Sequence, residues 1–313
     1  MKLLKQYIKN SKEINDIDAG LYHLKYAVEK LEFNQRQKIW ICFLYGLTYH
    51  LPSALALWNE FPDAEKIDLE RFNSFYRNNY KLIPFQTDKL KSKAYVERTM
   101  SDYITQISSS QERFINVFNG KDASETFTKF WNDFNGVAHY SRFSIWNFTQ
   151  ALKFLELIEI KPQNVLLGKD KSIAFIDGLL LDLGHTEKLT KKINGKKYYY
   201  QFSNEEKEFY ESYARELCEE CNIDLYELET IACAYKKLYR KNDSRYCGYY
   251  NDRIYEEIKL MESIDIWRGV DYDILWRYRE ENNIPNRPID RSRFKESIEE
   301  KIIYKSDNYF NDF

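Results

Sequence analysis

The stretch that decides the fold is WNDFNGVAHYSRFSIWNFTQALKFLEL, residues 131–157. It places a short turn with Gly136 between two segments whose apolar residues recur at helical spacing. His139, Ser141 and Arg142 lie where the second helix is predicted to begin. Free backbone N–H groups and the positive end of the helix dipole meet there, so the turn can hold a phosphate. A glycine between two helices is more often a plain connection.

Composition limits the class of protein. The chain has 313 residues, of which 43% are hydrophobic, which is enough for one large domain or two lobes. Its 10 Gly and 6 Pro are too few for a glycine-rich α/β architecture. No apolar run approaches the length of a membrane span, and the charged first turns do not resemble a signal peptide. We therefore expect a cytoplasmic protein with no membrane partner.

Five cysteines, an odd number in a large chain, predict reduced thiols. The pair Cys218 and Cys221 has no second pair to complete a zinc site, and the four histidines are scattered. No metal and no other cofactor is expected.

Two lysine-rich clusters stand out in a chain whose net charge is −2. The first surrounds the turn Asn194-Gly195, which is also the strongest short signal for a β-hairpin. The second precedes Cys247. Such runs are usually solvated faces. The clusters consist of Lys188, Lys191, Lys192, Lys196 and Lys197, and of Lys236, Lys237, Arg240, Lys241 and Arg245.

Periodicity predicts a mainly α-helical protein with one small β-hairpin. The segment 35–49 is apolar on nearly all sides and predicts a buried central helix. Residues 162–184 are irregular and predict a buried loop or short strand pieces. We expect one catalytic domain of two lobes, about 1–184 and 203–283, with the hairpin in 185–202 and a polar, loosely packed tail in 284–313.

Carboxylates inside apolar or aromatic segments are candidate catalytic groups. Asp177 and Asp182 lie in the run SIAFIDGLLLDLG and are followed by His185. A carboxylate among leucines is costly to bury unless it is paired or used. Near residue 88, a helix start followed by Lys89 is either a phosphate-handling patch or a plain capped helix.

The segment GYYNDRIYEEI, residues 248–258, mixes tyrosines with charged residues. Asp252 with Glu256, and Arg253 with Glu257, are spaced four residues apart and share helix faces. The segment is either a solvated, salt-bridged helix or the wall of a polar cavity. Full exposure of its acid and arginine side chains, far from the turn at residue 142, would exclude a catalytic role.

Several ordered segments, within about residues 36–279, carry a resemblance. They are KIWICFLYGLTYHLPSALALWNEFP, PFQTDKLKSK, HYSRFSIWNFTQAL, NVLLG with DGLLLDLGH, and GYYNDRIYEEI with GVDYDILWRYR. Together they resemble the phage amino acid:DNA transferases, also called alpha-glutamyl/putrescinyl thymine pyrophosphorylases. The resemblance implies a two-lobed, DNA-glycosylase-like helix-hairpin-helix fold, with the hairpin at residues 135–140.

The resemblance also implies a late step in thymine hypermodification of phage DNA. A 5-hydroxymethyl pyrimidine such as 5-hydroxymethyluracil is first phosphorylated, and the amine of an amino acid or polyamine then displaces the (pyro)phosphate. The partners would be double-stranded DNA carrying the modified pyrimidine and the amine co-substrate, in the cytoplasm of an infected bacterium. The amine, the leaving group and the oligomeric state stay open.

Roles follow from that chemistry. The base is expected to flip out of the duplex and stack on aromatic rings, the leaving phosphate needs positive charge, and the amine needs a carboxylate base. A second carboxylate would stabilise a cation-like methylene carbon. The stacking candidates are Tyr140, Trp146, Tyr249 and Tyr250. The phosphate candidates are Gly136, His139, Ser141, Arg142, Arg253, Lys89 and His185. The base candidates are Asp252, Glu256 and Glu257, and the cation-stabilising candidates are Asp182 and Asp177.

Two alternatives stay open. A DNA glycosylase of the lyase type would need a lysine at the start of the second hairpin helix, where Ser141 and Arg142 stand and the next lysine is Lys153. A monofunctional glycosylase needs only the carboxylate. The other alternative is a non-catalytic DNA-binding protein with a salt-bridged surface helix.

Overall fold

The computed structural model describes residues 2–86, 93–107, 110–164, 176–194, 196–241 and 244–305. This part of the chain is mainly helical, as expected, and its sheet has two strands. In chain order the helices are α1 (Leu3–Glu13), α2 (Ala19–Lys30), α3 (Gln35–Thr48), α4 (Leu51–Glu60), α5 (Leu69–Asn79), α6 (Val96–Ile107), α7 (Gln111–Val117), α8 (Ala123–Asp133), α9 (Arg142–Phe154), α10 (Ile176–Leu183), α11 (Asn204–Cys221), α12 (Leu225–Leu238), α13 (Tyr249–Glu262), α14 (Asp273–Glu281) and α15 (Ile298–Ile302). The strands are β1 (Lys191–Ile193) and β2 (Lys196–Tyr198).

Contacts between Cα atoms divide the chain into two compact units. Unit 1 comprises Met1–Ala19, Gln163–Arg253 and Asn283–Phe313, and unit 2 comprises Gly20–Pro162 and Ile254–Asn282. Each unit therefore combines segments that are distant in sequence. The lobes expected from the sequence stay a prediction.

Unit 2 is built around α3, the expected buried central helix. Every residue from Ile39 to Thr48 is buried. Helix α3 packs against α4 and α9, and Gly46 makes the second contact possible. A Cβ atom on Gly46 would lie 3.0 Å from the Ser144 carbonyl oxygen and 3.0 Å from Phe148 Cβ. The close approach of α9 to α3 thus depends on the missing side chain.

The helix, turn and helix predicted for residues 131–157 are confirmed. Helix α8 ends at Asp133, one 3₁₀ turn covers Phe134–Gly136, and α9 starts at Arg142. Ser141 is the N-cap residue, and its hydroxyl accepts a hydrogen bond from the Ser144 N–H at 3.3 Å. The glycosylase-like helix-hairpin-helix arrangement of the whole fold stays a prediction.

In unit 1, α10 packs against α12. The prediction of a loop or strand for this part of the chain is wrong, since residues 176–183 form a helix; residues 165–175 lie outside the described residues. Ile176, Leu179 and Leu180 have the spacing of one helix face and are buried. Gly178 lies against the backbone of Ala232, where a Cβ atom would come within 2.2 Å of the carbonyl oxygen.

The predicted β-hairpin is confirmed. Strands β1 and β2 are antiparallel, and their register pairs Lys191 with Tyr198 and Ile193 with Lys196. The helix that follows, α11, begins with a capping box between Ser203 and Glu206.

The expectation of a loosely packed tail is wrong for residues 284–305. The Arg293 side chain is buried and donates hydrogen bonds to three backbone carbonyls, those of Cys247 (3.1 Å), Glu300 (3.0 Å) and Ile303 (2.8 Å). The buried Lys301 amine donates to the Leu238 carbonyl at 2.8 Å. These bonds fix the tail within unit 1.

Candidate active site

A buried aspartate side chain holds the first turn of α13. Asp16 accepts hydrogen bonds from the N–H groups of Gly248 and Asn251, both at 2.8 Å. These are among the helix-start donors that lack a partner inside the helix. Gly248 has φ of 99°, a conformation that favours glycine and turns the chain into the helix. Asp16 therefore caps α13 from a distant part of the sequence.

Asp252 lies one turn into the same helix and is also buried. Its Oδ2 accepts a hydrogen bond from the Tyr246 hydroxyl at 2.6 Å, and its Oδ1 forms an ion pair with Arg287 Nε at 3.3 Å. The Tyr246 hydroxyl in turn accepts from the Asp290 N–H at 2.7 Å. Burial, and then the charge of Asp252, raises the pKa of Tyr246. The tyrosine therefore stays protonated and continues to donate to the carboxylate.

Guanidinium groups cover three tyrosine rings in this region. Arg245 lies 3.8 Å from the centre of the Tyr249 ring, and Arg253 lies 4.9 Å from that of Tyr250. Arg293 lies 4.5 Å from the Tyr246 ring. Cation–π contacts of this kind position positive charge at low hydration. Asp252 is 1% exposed and Arg253 is 9% exposed. This part of α13 is therefore not the solvated, salt-bridged helix that the sequence allowed.

The other two predicted carboxylates of unit 1 are tied to the backbone. Asp182 accepts from the Leu4 N–H at 3.2 Å and from the Tyr213 hydroxyl, which places it at the start of α1. Asp177 accepts from both the N–H and the hydroxyl of Thr190, at 3.0 and 3.1 Å. Both carboxylates thus have an anchoring role in this conformation.

His185 of unit 1 hydrogen-bonds to the Tyr210 hydroxyl through Nδ1 at 2.8 Å. Lys188 Nζ donates to the same hydroxyl at 3.2 Å. A phosphate bound by His185 through Nδ1 would therefore have to displace this contact to α11.

In unit 2, the start of α9 presents exposed Gly136, His139 and Ser141. The Arg142 guanidinium is half-buried and lies 4.9 Å from the centre of the Trp131 ring. His139 has a positive φ of 59° and stacks on Tyr95 with ring centres 3.9 Å apart. The phosphate-binding role of this end of the helix stays a prediction.

Two stacking candidates are instead buried in the core of unit 2. The Tyr140 hydroxyl donates to the Phe43 carbonyl at 3.0 Å, and its ring stacks on that of Phe43. Trp146 is buried edge-on against Phe127 and Trp131. Neither ring offers an open face to a base in this conformation.

The acid candidates of unit 2 lie later in α13. Glu257 is 5% exposed and accepts a hydrogen bond from the Gln86 side chain. Glu256 is half-buried. Lys89, the remaining phosphate candidate, lies outside the described residues.

The polar cluster at the start of α13 consists of Asp16, Tyr246, Asp252 and Arg287. Of these four residues, the sequence pattern singled out only Asp252. Asp16 follows a short helix in NDID and looks like an ordinary loop acid. Arg287 lies in the proline-containing tail, where a charged residue suggests solvent exposure. Only Tyr246 had a usable signal, since it precedes the aromatic segment by two residues.

The described residues hold no group of three or more His, Cys, Asp or Glu side chains arranged to bind a metal ion. No disulfide joins any of the five cysteines, all of which lie in the described part of the chain.

The sequence model of the amino acid:DNA transferase family matches residues 9–244, about three quarters of the chain. The chain belongs to this family. It is therefore a transferase that acts on DNA. The matched region includes Asp16, the turn before α9 and the β-hairpin, and it stops before α13.

This transferase is also similar to a protein named serinyltransferase from Salmonella phage ViI. The two sequences are 26% identical over 305 residues, which cover 89% of this chain and 72% of the phage protein. No solved structure matches the transferase. Among its described helices, none is both long and apolar enough to cross a membrane.

Asp16 makes the stability of the transferase depend on pH. Burial raises the pKa of its carboxyl from 3.8 to about 8, against the opposing effect of the backbone N–H donors. Because the folded state binds the proton more tightly, this contribution is complete below pH 3.8 and is lost as the pH rises to and through about 8. Between those values the free energy of unfolding should fall by up to about 1.4 kcal/mol per pH unit.

Asp16→Asn removes the titrating group while keeping its shape. Chemical denaturation of both proteins between pH 5 and pH 8 should show the variant gaining stability relative to the wild type as the pH rises, within the window set by Asp16. A difference between the two proteins that does not change with pH would contradict the raised pKa.

Proposed function

We propose that the transferase joins the amine of an amino acid or polyamine to a 5-hydroxymethyl pyrimidine of double-stranded DNA that carries a phosphate or pyrophosphate on its exocyclic oxygen. The family match gives the strongest support, because the family is named for transfer between an amino acid and DNA. The buried polar cluster of unit 1 supports the same chemistry with a carboxylate and arginines.

The reaction is a substitution at the exocyclic methylene carbon. The lone pair of the amine nitrogen forms a C–N bond, the C–O bond breaks, and the (pyro)phosphate leaves with its electron pair. The nitrogen loses one proton to a base. An ammonium group has no free lone pair, so a base is also needed before the attack.

Asp252 is the base in this proposal. It is a buried acceptor held by Tyr246 and Arg287, so its oxygens are fixed rather than mobile. A preorganised carboxylate needs no rearrangement when it takes a proton. Glu256 and Glu257 follow on the same helix and are the alternative bases.

Arg245 and Arg253 provide the positive charge for the leaving group. Each guanidinium already lies over a tyrosine ring, and a planar fork of N–H donors suits phosphate oxygens. In this proposal Tyr249 and Tyr250 hold these cations, rather than the flipped base that the sequence suggested. In unit 2, the exposed start of α9, with Ser141 and Arg142, is proposed to bind a phosphate of the DNA.

Asp182 is proposed to stabilise the cation-like methylene carbon. Its negative charge is suitable, and its bonds to the Leu4 N–H and the Tyr213 hydroxyl fix its position. Asp177 is the alternative, with its oxygen held by Thr190.

The test incubates the transferase with DNA that carries 5-phosphomethyl or 5-pyrophosphomethyl pyrimidine, together with a mixture of amino acids and polyamines. Digestion to nucleosides and mass spectrometry should show an amine-adducted nucleoside and released (pyro)phosphate. Release of a free base would identify a glycosylase and overturn the proposal. Absence of both products would overturn it in favour of a DNA-binding role. In the same assay, full turnover by Asp182→Asn would remove Asp182 from the mechanism.

A further inference from the structure

We propose that the β-hairpin formed by β1 and β2 is a DNA-contacting arm, which lies in the major groove of the duplex and contacts phosphates with its lysines. The hairpin shares no residue with the polar cluster at the start of α13. The inference rests on DNA being the substrate, and only the position of the arm beside the modified base rests on the proposed function.

The first observation is local charge. Residues 188–200, KLTKKINGKKYYY, contain five lysines and no acidic residue, in a chain whose net charge is −2. Lys191 in β1 and Lys196 in β2 are exposed. Concentrated positive charge on an otherwise slightly acidic protein attracts a polyanion to that place.

The second observation is the pattern on one face of the hairpin. The register pairs Lys191 with Tyr198 and Ile193 with Lys196, so these four side chains share a face. Ile193 and Tyr198 are 52% and 51% exposed. A face that alternates cations with exposed apolar groups is suited to a partner whose negative charges border apolar edges. The groove of a duplex has this character, because phosphates flank the base edges.

The dimensions favour the major groove. Paired strands lie about 4.8 Å apart, and a two-stranded ribbon fits the major groove, which is about 12 Å wide. The minor groove, about 6 Å wide, is too narrow for it. Substituents at the 5-position of a pyrimidine project into the major groove, as the thymine methyl group does. An arm in that groove therefore lies on the side of the duplex where the modification stands.

The third observation is that the base of the arm is fixed to unit 1. Lys188 Nζ forms an ion pair with Glu206 at 2.8 Å and a hydrogen bond with the Tyr210 hydroxyl. Thr190, directly before β1, is bonded twice to Asp177. An arm held in place in the free protein loses less conformational entropy when it binds. Asp177 thereby acquires a role in positioning the arm.

The test compares the wild type with Lys191→Gln/Lys196→Gln in binding a short, unmodified DNA duplex at several salt concentrations. Log affinity falls as log salt rises, and each lost phosphate contact makes this slope less steep by about 0.9. The slope of the double variant should therefore be less steep than that of the wild type by about 1.8. At about 0.15 M salt this corresponds to roughly 30-fold weaker binding. Lys191→Arg/Lys196→Arg keeps the charge and should bind like the wild type.

The matched control is Lys9→Gln/Lys295→Gln, which removes two exposed lysines of unit 1 outside the hairpin and changes the net charge equally. Its salt slope should equal that of the wild type. An unchanged slope in the hairpin variant, or an equal loss in the control, overturns the proposal. Retained duplex binding with lost binding to vesicles of anionic lipid would also overturn it, in favour of a membrane surface. Because unmodified DNA is the probe, failure here is distinct from failure of the proposed transfer reaction.

Discussion

Asp252→Asn should lower the rate of amine transfer to DNA by about 10²- to 10⁴-fold, the usual contribution of a positioned general base. The amide cannot accept a proton, although it keeps the shape of the side chain and one acceptor oxygen. The measurement is adduct formed per unit time, by mass spectrometry of digested DNA. DNA binding by the variant should stay within a few-fold of the wild type.

The single variant also leaves Arg287 without its carboxylate, and breaking a buried ion pair costs about 3–5 kcal/mol of stability. The double variant Asp252→Asn/Arg287→Gln removes both charges. Replacing both partners of a buried pair is far less destabilising than removing one, so the double variant should regain much of the lost stability. Its transfer activity should remain as low as that of the single variant.

Recovery of activity together with stability would show that Asp252 has only a structural role. In that case Glu256 and Glu257 become the candidate bases, and the same assay on Glu256→Gln and Glu257→Gln tests them separately.

Gly178→Ala should reduce the free energy of unfolding by up to about 2 kcal/mol, the cost of overpacking less the helix preference for alanine. Alanine is favoured over glycine in a helix by about 1 kcal/mol, so propensity alone predicts the opposite sign. The new methyl group would lie 2.2 Å from the Ala232 carbonyl oxygen, and backbone atoms cannot rotate away as a flexible side chain can. Helix α10 would have to move away from α12, and overpacking of this kind costs about 1–3 kcal/mol.

Gly269→Ala is the matched control, because no atom lies within 4 Å of the position that its Cβ would occupy. Its stability should stay within about 0.5 kcal/mol of the wild type, as for other exposed substitutions. Denaturant unfolding of the three proteins gives the comparison. Equal stability of Gly178→Ala and the wild type would show that α10 shifts on α12 without cost.

Local signals were sufficient for most of the helices. Ser141 and Ser203 begin α9 and α11 as predicted, because a helix cap depends on residues within one turn. Asn194 in the turn similarly specifies the hairpin. Helix α10 was missed because its eight residues contain a glycine and lack a long apolar period. Its helical form depends on packing against α12, which a local pattern does not contain.

The candidate site was predictable only where its residues are consecutive. Asp252 and Arg253 stand out within one aromatic segment, and both are buried. Asp16 and Arg287 come from segments more than 200 residues apart, and no periodicity relates them to α13. Arg293 likewise looks solvated in a polar tail, whereas it is buried and donates a hydrogen bond to the carbonyl of Cys247, 46 residues earlier in the chain. Whether the predicted residues form one catalytic centre stays a prediction for the variants above to test.

The division of unit 1 into three chain segments determines when its polar centre can form during translation. Asp16 leaves the ribosome early, and Asp252 follows after most of the helices have been made. Arg287 pairs with Asp252, and Arg293 donates a hydrogen bond to the Cys247 carbonyl. Both arginines are synthesised later still. Because domains fold as units, the nascent chain has to keep its first segment available until the last one emerges. The order of synthesis therefore makes the polar cluster at the start of α13 one of the last parts of the transferase to assemble.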